Sequence, residues 1–415
     1  MKIDLDAVEQ AKRPLELFYS GCKSKETKQQ YATLLKKIVN EFFEDILDSK
    51  GFEERVNEFV YKAQNDPKWA TEIIIAMVKM LKARTELPEK DSNYLRPISF
   101  KNYFPPLRKL LDLNEVTIPW AKVTSQYPVM KDLDDSRGYT RDEIKKVLEH
   151  ADAIDKAIVT IAASSGIRAG AFDFKWRHIR PVYLYNDHLL WEDDKLTESV
   201  VRDGKIACAM ILIYEGEIES QFAFVTLECY NFIQNYKTEW IQKVGKEPKP
   251  DDPFLRSESI IVKPLSKRGV RSRVERLLEK AGLRQPLIKG KRRHEIPIMN
   301  GFRRFFNKAN KESISKDSLL ASLIKKEMMM GHVGLIKLDK NYFKAHVNEL
   351  LEEYLNAVPN LTIDDSEKLK LQNRAKDEKI NQLELEKDAK IAQLERDMAY
   401  VKKLLIQTKK DNSSS

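Results

Sequence analysis

Cysteine is scarce in this sequence, with three residues, Cys22, Cys208 and Cys229, among 415. They are odd in number and lack metal-type spacing, so neither a disulfide framework nor a zinc site is expected, and a reducing compartment fits. Long apolar runs are missing as well. The best candidates, such as IVTIAA at 158–163, are core-sized and fall far short of the roughly 20 residues that span a bilayer, so no membrane partner is expected. The opening stretch MKIDLDAVEQAKRPLELF carries acids and no apolar signal core, which makes a cytoplasmic location the expectation. Proline and glycine are absent from 366–408. What is present is ordinary globular material: 42% hydrophobic and 33% charged residues, in a length suited to two or three domains.

The net charge of +9 is unevenly spread. From Lys263 to Lys308 there are 15 Lys and Arg against three acids, Glu275, Glu279 and Glu295, a net of +12, which leaves −3 for the rest of the chain. One contiguous basic stretch suits a polyanion such as a DNA backbone, although a solvated basic helix would have the same composition.

The periodicity predicts a mainly α chain with one small antiparallel sheet. Residues 24–43 set Tyr31, Leu34, Leu35, Ile38, Val39 and Phe42 on one helical stripe behind a Ser24 cap. A second helix is expected over 67–85 and a third after Pro97. The stretch VTIPWAKVTSQYPVMKDLDDSRG, with Pro119, Pro128 and Gly138, reads as a linker. A new unit opens where Thr140 and Glu143 spell a capping box, followed by a helix over 154–164. Between 181 and 226, β-prone runs are separated by turns at Asn186-Asp187, Asp203-Gly204 and Glu215-Gly216. In the tail, Ile380, Leu383, Ile391, Leu394, Met398, Val401 and Leu405 recur at three- and four-residue steps with one shift of register. That pattern fits a coiled coil or a single long helix. The expected organisation is a helical unit (1–114), a linker (115–138), an α+β unit (139–362), a helical tail (363–410) and a disordered end (411–415).

Breaking a DNA strand requires a nucleophile at phosphorus, positive charge on the non-bridging oxygens and a proton for the leaving 5′ oxygen. Arginine suits the second need, because its planar fork binds phosphate in a bidentate way and keeps its charge. A tyrosine hydroxyl needs cationic neighbours or a base to attack at neutral pH. Four segments supply candidates in order: Arg168 in ASSGIRAGAF, Arg303 in MNGFRRFF, His332 in MMMGHVGL and Tyr342 in LDKNYFKAH. Taken singly, each has an ordinary structural reading: a surface arginine after a helix stop, a basic amphipathic helix, a turn histidine and a core tyrosine.

Taken together and in this order, the four segments resemble the tyrosine recombinase (phage integrase) family, over about Ser24 to Leu361. The spellings SSGIRAGAF, NGFRRFF, MMGHVGL and NYFKAHVNELLEEYLNAVPNLTI look especially like integrases of archaeal mobile elements. The resemblance implies that Arg168 and Arg303 bind the scissile phosphate and that His332 assists them. It implies that Tyr342 attacks phosphorus to leave a 3′-phosphotyrosyl enzyme, with no metal, ATP or other cofactor. Family members often carry His where Asn300 stands, so Asn300 is expected to donate a hydrogen bond without shuttling a proton. The hairpin lysine that the family uses as an acid should fall near YEGEIESQ at 214–221, where there is none; Lys205 is a distant substitute. His294 reads as a DNA contact or surface residue.

The resemblance also implies double-stranded DNA attachment sites as partners and a homo-oligomer, a tetramer on paired sites. Within the basic stretch, Lys267, Arg268, Arg271, Arg273, Lys291, Arg292 and Arg293 are the candidate phosphate contacts, with Lys23, Lys25, Lys28 and Lys101 as looser ones in the N-terminal unit. Two alternatives stay open: a topoisomerase-like relaxing enzyme of the same chemistry, and a DNA-binding protein of the same fold with a decayed site.

Overall fold

The computed structural model describes residues 13–128, 136–217, 219–257, 262–287, 294–314, 319–331 and 347–411. They form two compact units, residues 13–128 with Leu287, and residues 136–286 with 294–411. Of the expected site residues, Lys291, Arg292, Arg293, His332 and Tyr342 lie outside the described residues.

The first unit is helical: α1 (Pro14–Ser20), α2 (Lys25–Phe42), α3 (Phe52–Asn65), α4 (Pro67–Glu86), α5 (Pro97–Phe100), α6 (Phe104–Leu113) and α7 (Trp120–Thr124). Ser24 caps α2 by accepting from the Thr27 N–H at 3.1 Å, and Asp66 caps α4 from the Trp69 N–H at 3.0 Å. Leu35, Ile38 and Val39 of α2 pack with Val56, Phe59 and Val60 of α3 and with Ile74, Met77, Val78 and Leu81 of α4. Phe43 stacks on Phe59 with ring centroids 4.4 Å apart. The stretch read as a linker is partly core: α7 falls inside it, and Val116, Ile118 and Val123 are buried. Pro119 precedes that helix as its N-cap, and apolar side chains around it found a place in the helical core.

The second unit opens with α8 (Arg141–Glu149), whose Thr140–Glu143 capping box is formed, and α9 (Ala153–Ser165). Then come β1 (Ile179–Tyr185), β2 (His188–Leu190), α10 (Glu198–Asp203), β3 (Lys205–Ile213) and β4 (Gln221–Thr226). All strand pairs are antiparallel, in the order β2-β1-β3-β4. Asn186 and Asp187 both have positive φ, 48° and 62°, as a two-residue hairpin turn requires. Cys208, Ala209, Met210 and Ile211 of β3 are all buried, so the central strand is covered on both faces. The expected turn at Asp203-Gly204 is instead the end of α10.

Helices α11 (Leu227–Val244), α12 (Lys267–Lys280), α13 (Ile298–Glu312), α14 (Leu319–Met329), α15 (Val347–Leu361) and α16 (Asp365–Asp411) complete the unit. Its core gathers α9, β3, β4, α11, α13 and α15. α9 is buried on nearly every side, which is why its sequence is apolar all round rather than striped. Burial pushes the thiols of Cys208 and Cys229 up to about 12, and Cys22 in the first unit is partly exposed. α16 begins on the unit through Lys145–Asp365 at 2.8 Å. Farther along, Ile380, Leu383, Ile391, Leu394, Met398 and Val401 are exposed. Among the described residues, no helix is long and apolar enough to cross a membrane. The expected fold class, mainly α with a small antiparallel sheet, is what is observed.

Candidate active site

α9 ends at Gly166, whose φ of +63° and N–H to the Ala162 carbonyl at 3.1 Å make a left-handed stop. A Cβ here would lie 2.5 Å from Phe306 Cδ1, so both backbone and packing demand glycine. The chain turns outward, buries Ile167 and enters a tight turn at Ala169–Asp173. Arg168 stands at that corner, exposed, and its guanidinium has no protein partner among the described residues.

Arg303 comes from α13, which is anchored by Met299, Phe302, Phe305, Phe306 and Ala309. Tyr139 packs on Phe302 with centroids 4.4 Å apart and donates to the Ile298 carbonyl at 3.1 Å. Burying such rings stabilises by roughly 1.5–3 kcal/mol each, enough to fix the helix's rotation. That rotation aims Arg303 inward and leaves Asn300, one turn earlier, exposed. Arg303 Nη1 donates to the Gly166 carbonyl at 2.7 Å, and Nη2 donates to the Met330 carbonyl. Burial, reinforced by the positive charge of Arg168, lowers the Arg303 guanidinium to about 10. Arg303 is thus held by backbone carbonyls, with the like charge of Arg168 disfavouring its charged form and Glu327 favouring it.

Met330 links this site to the third sequence segment. α14 ends in Gly331, φ +65°, where a Cβ would fall 2.9 Å from both amide atoms of Gln221. Behind it, Lys326 is buried and pairs with Glu353 of α15 at 3.0 Å; Ser322 donates to the same carboxylate at 3.0 Å, and Lys326 donates to Ser313 at 3.0 Å. Burial lowers the Lys326 ammonium, and Glu353 opposes that. This network ties together the helices that precede His332 and follow Tyr342 in sequence. Tyr354 of α15 further donates to the Ser164 carbonyl of α9 at 2.9 Å.

Lys267, Arg268 and Arg271 lie exposed along α12, opposite the buried Val270, Val274, Leu277 and Leu278. A Cβ on Gly170 would lie 3.7 Å from Lys267 Nζ, so this lysine sits beside the Arg168 loop. Arg273 is held in ion pairs. Its Nε donates to Asp155 at 2.6 Å and its Nη2 to Asp152 at 2.7 Å, with a side chain 11% exposed. Its charge serves the α9–α12 contact, a pairing across more than a hundred residues that no local pattern signals.

Sequence reasoning passed over Tyr214. It follows Ile213, which pairs with Gln221 across β3 and β4, the residue that covers Gly331. Tyr214 has a φ of +56°, and its carbonyl accepts from the Glu217 N–H at 3.0 Å. The next residue, Glu215, is gripped by Arg177 at 2.7 Å and His178 at 3.1 Å. A left-handed non-glycine residue in the hairpin would have been the only sequence-level signal, and tyrosine does not advertise it.

No family model and no curated protein matches the chain. Among solved structures it is similar to XerH site-specific recombinase bound to a palindromic difH substrate in a post-cleavage complex, at 15% identity over 78% of this chain and 78% of that one, TM-score 0.44. A lambda integrase dimer bound to a COC′ core site shares 12% identity over 83% of this chain and 99% of that one, TM-score 0.40. XerA recombinase shares 14% over 84% and 97%, TM-score 0.31. At TM-scores below 0.5, these likenesses carry no argument about what this chain does.

Proposed function

We propose that this chain is a site-specific DNA recombinase that cuts and rejoins strands through a phosphotyrosyl bond on Tyr342. The observation that supports this most is the pairing of Arg168 and Arg303. Segments 137 residues apart meet through the Arg303–Gly166 hydrogen bond. Arg168 is left exposed, without a partner among the described residues, beside a half-buried second guanidinium. Such a clamp fits the two non-bridging oxygens of a phosphodiester, and fixed charge of this kind commonly contributes more to such catalysis than any other single effect.

In this reading the Tyr342 hydroxyl attacks phosphorus as the bond to the 5′ oxygen breaks. A 3′-phosphotyrosyl ester and a free 5′ hydroxyl result. Arg168 and Arg303 balance the charge on the phosphoryl oxygens, Asn300 adds a hydrogen bond from the same helix as Arg303, and His332 assists at the phosphate. Because the ester conserves the bond energy, a second strand's 5′ hydroxyl can displace the tyrosine without ATP. Lys267, Arg268 and Arg271 contact flanking phosphates, joined by Lys291, Arg292 and Arg293. The substrates are attachment sites of a mobile element of archaeal type, paired in a tetramer that the exposed stripe of α16 helps to assemble.

The test is covalent capture. A nicked suicide duplex, selected from a randomised library by covalent trapping, is incubated with the intact chain. A protein–DNA adduct that disappears in Tyr342→Phe is expected; an adduct that persists in that variant refutes the assignment of the nucleophile.

A further inference from the structure

Cleavage needs a proton for the departing 5′ oxygen, and the described site residues supply few candidates. Arg303 commits N–H groups to the Gly166 and Met330 carbonyls, and Asn300 has no acidic proton. Tyr214 does have one. The base of the β3–β4 hairpin lies against the Arg303 site by a short path. Tyr214 adjoins Ile213, Ile213 pairs with Gln221, Gln221 covers Gly331, and the preceding Met330 carbonyl accepts from Arg303. The phenol interacts electrostatically with both Arg168 and Arg303, and with Asp173 and Glu217 in the opposite sense. Its backbone is held in a costly left-handed conformation by the turn and by the Arg177–Glu215–His178 grip. A side chain on a left-handed residue brings its Cβ close to the neighbouring carbonyl oxygen, a strain that glycine at 214 would remove. Strain maintained at a site commonly marks function.

We propose that the Tyr214 hydroxyl is the general acid of strand cleavage, the group that hands its proton to the leaving 5′ oxygen. The assignment rests on the recombinase reading above. As the Tyr342 oxygen–phosphorus bond forms, the bond from phosphorus to the 5′ oxygen breaks with its electron pair on that oxygen. The Tyr214 proton moves to that oxygen, and the proton of Tyr342 passes to water. The phenolate left on Tyr214 is stabilised by Arg168 and Arg303. In religation it takes the proton back from the incoming 5′ hydroxyl. Burial raises the phenol above its ordinary value while the two arginines oppose the rise. The group is therefore protonated at neutral pH before cleavage and has cationic support after it.

The experiment compares two suicide duplexes, one with the natural 5′ oxygen and one with sulfur at that bridging position, a leaving group that needs no proton. Adduct formation is timed at saturating DNA for the intact chain, Tyr214→Phe and Lys267→Ala. Tyr214→Phe is expected to slow the oxygen substrate by about 10²-fold and to match the unsubstituted chain on the sulfur substrate. That rescue also proves the variant folded. Equal slowing on both substrates, no slowing, or sulfur rescue of Lys267→Ala instead would each overturn the assignment. If the unsubstituted chain forms no Tyr342-dependent adduct on either duplex, the recombinase reading fails and takes this assignment with it.

Discussion

Arg273 on α12 and Arg303 on α13 both come from the basic stretch, the first nearly buried and the second half-buried, and they are held by different partners. Arg273 meets two carboxylates, Asp152 and Asp155, and burial raises the Asp155 carboxyl while Arg273 opposes the rise. Arg303 meets the carbonyls of Gly166 and Met330 and the field of Arg168, and it is lowered to about 10. Carboxylates cancel a charge, whereas carbonyls orient it without cancelling it. The same residue type in the same basic run is therefore paired with acids in one place and cradled by backbone in the other, the place where the proposed function puts the phosphate.

Substitutions should separate the two roles. Arg303→Ala is expected to slow covalent adduct formation at saturating DNA by about 10²–10³-fold. Arg273→Ala should leave the adduct rate per folded molecule within about twofold. It should instead destabilise the chain by about 2–4 kcal/mol, because Asp155 loses its partner while Asp152 remains half in water. Thermal melts alongside adduct kinetics read both, and a catalytic defect in Arg273→Ala would erase the distinction. Gly166→Ala tests the support beneath the clamp. Left-handed strain plus the collision with Phe306 should cost about 2–4 kcal/mol, seen as a lowered melting midpoint.

Smaller effects come from exposed charges. Lys267→Ala should weaken DNA binding across sequences and flatten the plot of log affinity against log salt by about one unit, measured by fluorescence anisotropy. Arg137 gives a third case, an arginine bound by Glu143 at 2.7 and 2.8 Å and by Glu295 at 2.7 Å. Arg137, then the Thr140 backbone, hold the Glu143 carboxyl below its ordinary value. Its stabilisation is therefore present above the unfolded value near 4.5 and is lost as pH falls through the lower folded value. Glu143→Gln should remove about 1 kcal/mol near pH 6 and flatten the loss of stability on acidification, as melts between about pH 6 and 3 would register.

The features legible in sequence were those written locally. The Thr140–Glu143 box, the α2 stripe and the Asn186-Asp187 turn each depend on neighbours within four residues, and each formed as expected. α3 carries an equally local stripe of Val56, Phe59, Val60 and Ala63, which was there to be found. Arg168 and Arg303 were legible as types in a pattern, yet the carbonyl cradle that holds Arg303 near the Arg168 segment depends on chain segments far apart. The fate of Arg273 was hidden because its partners lie 118 and 121 residues away. Tyr214 was hidden because backbone conformation has no letter of its own. The short helix and the buried Val116, Ile118 and Val123 within the expected linker were hidden because prolines say nothing of whether the residues near them are solvated or buried.

The three thiols give the protein a reporter of its own unfolding. Cys208 and Cys229 lie fully covered in the second unit, with thiolates suppressed by burial, while Cys22 of the first unit is partly exposed. A thiol-reactive dye added to the native chain should label one site promptly and two only as the second unit opens. The slow labelling rate then measures the opening equilibrium of the unit that holds Arg168 and Arg303, without an introduced probe.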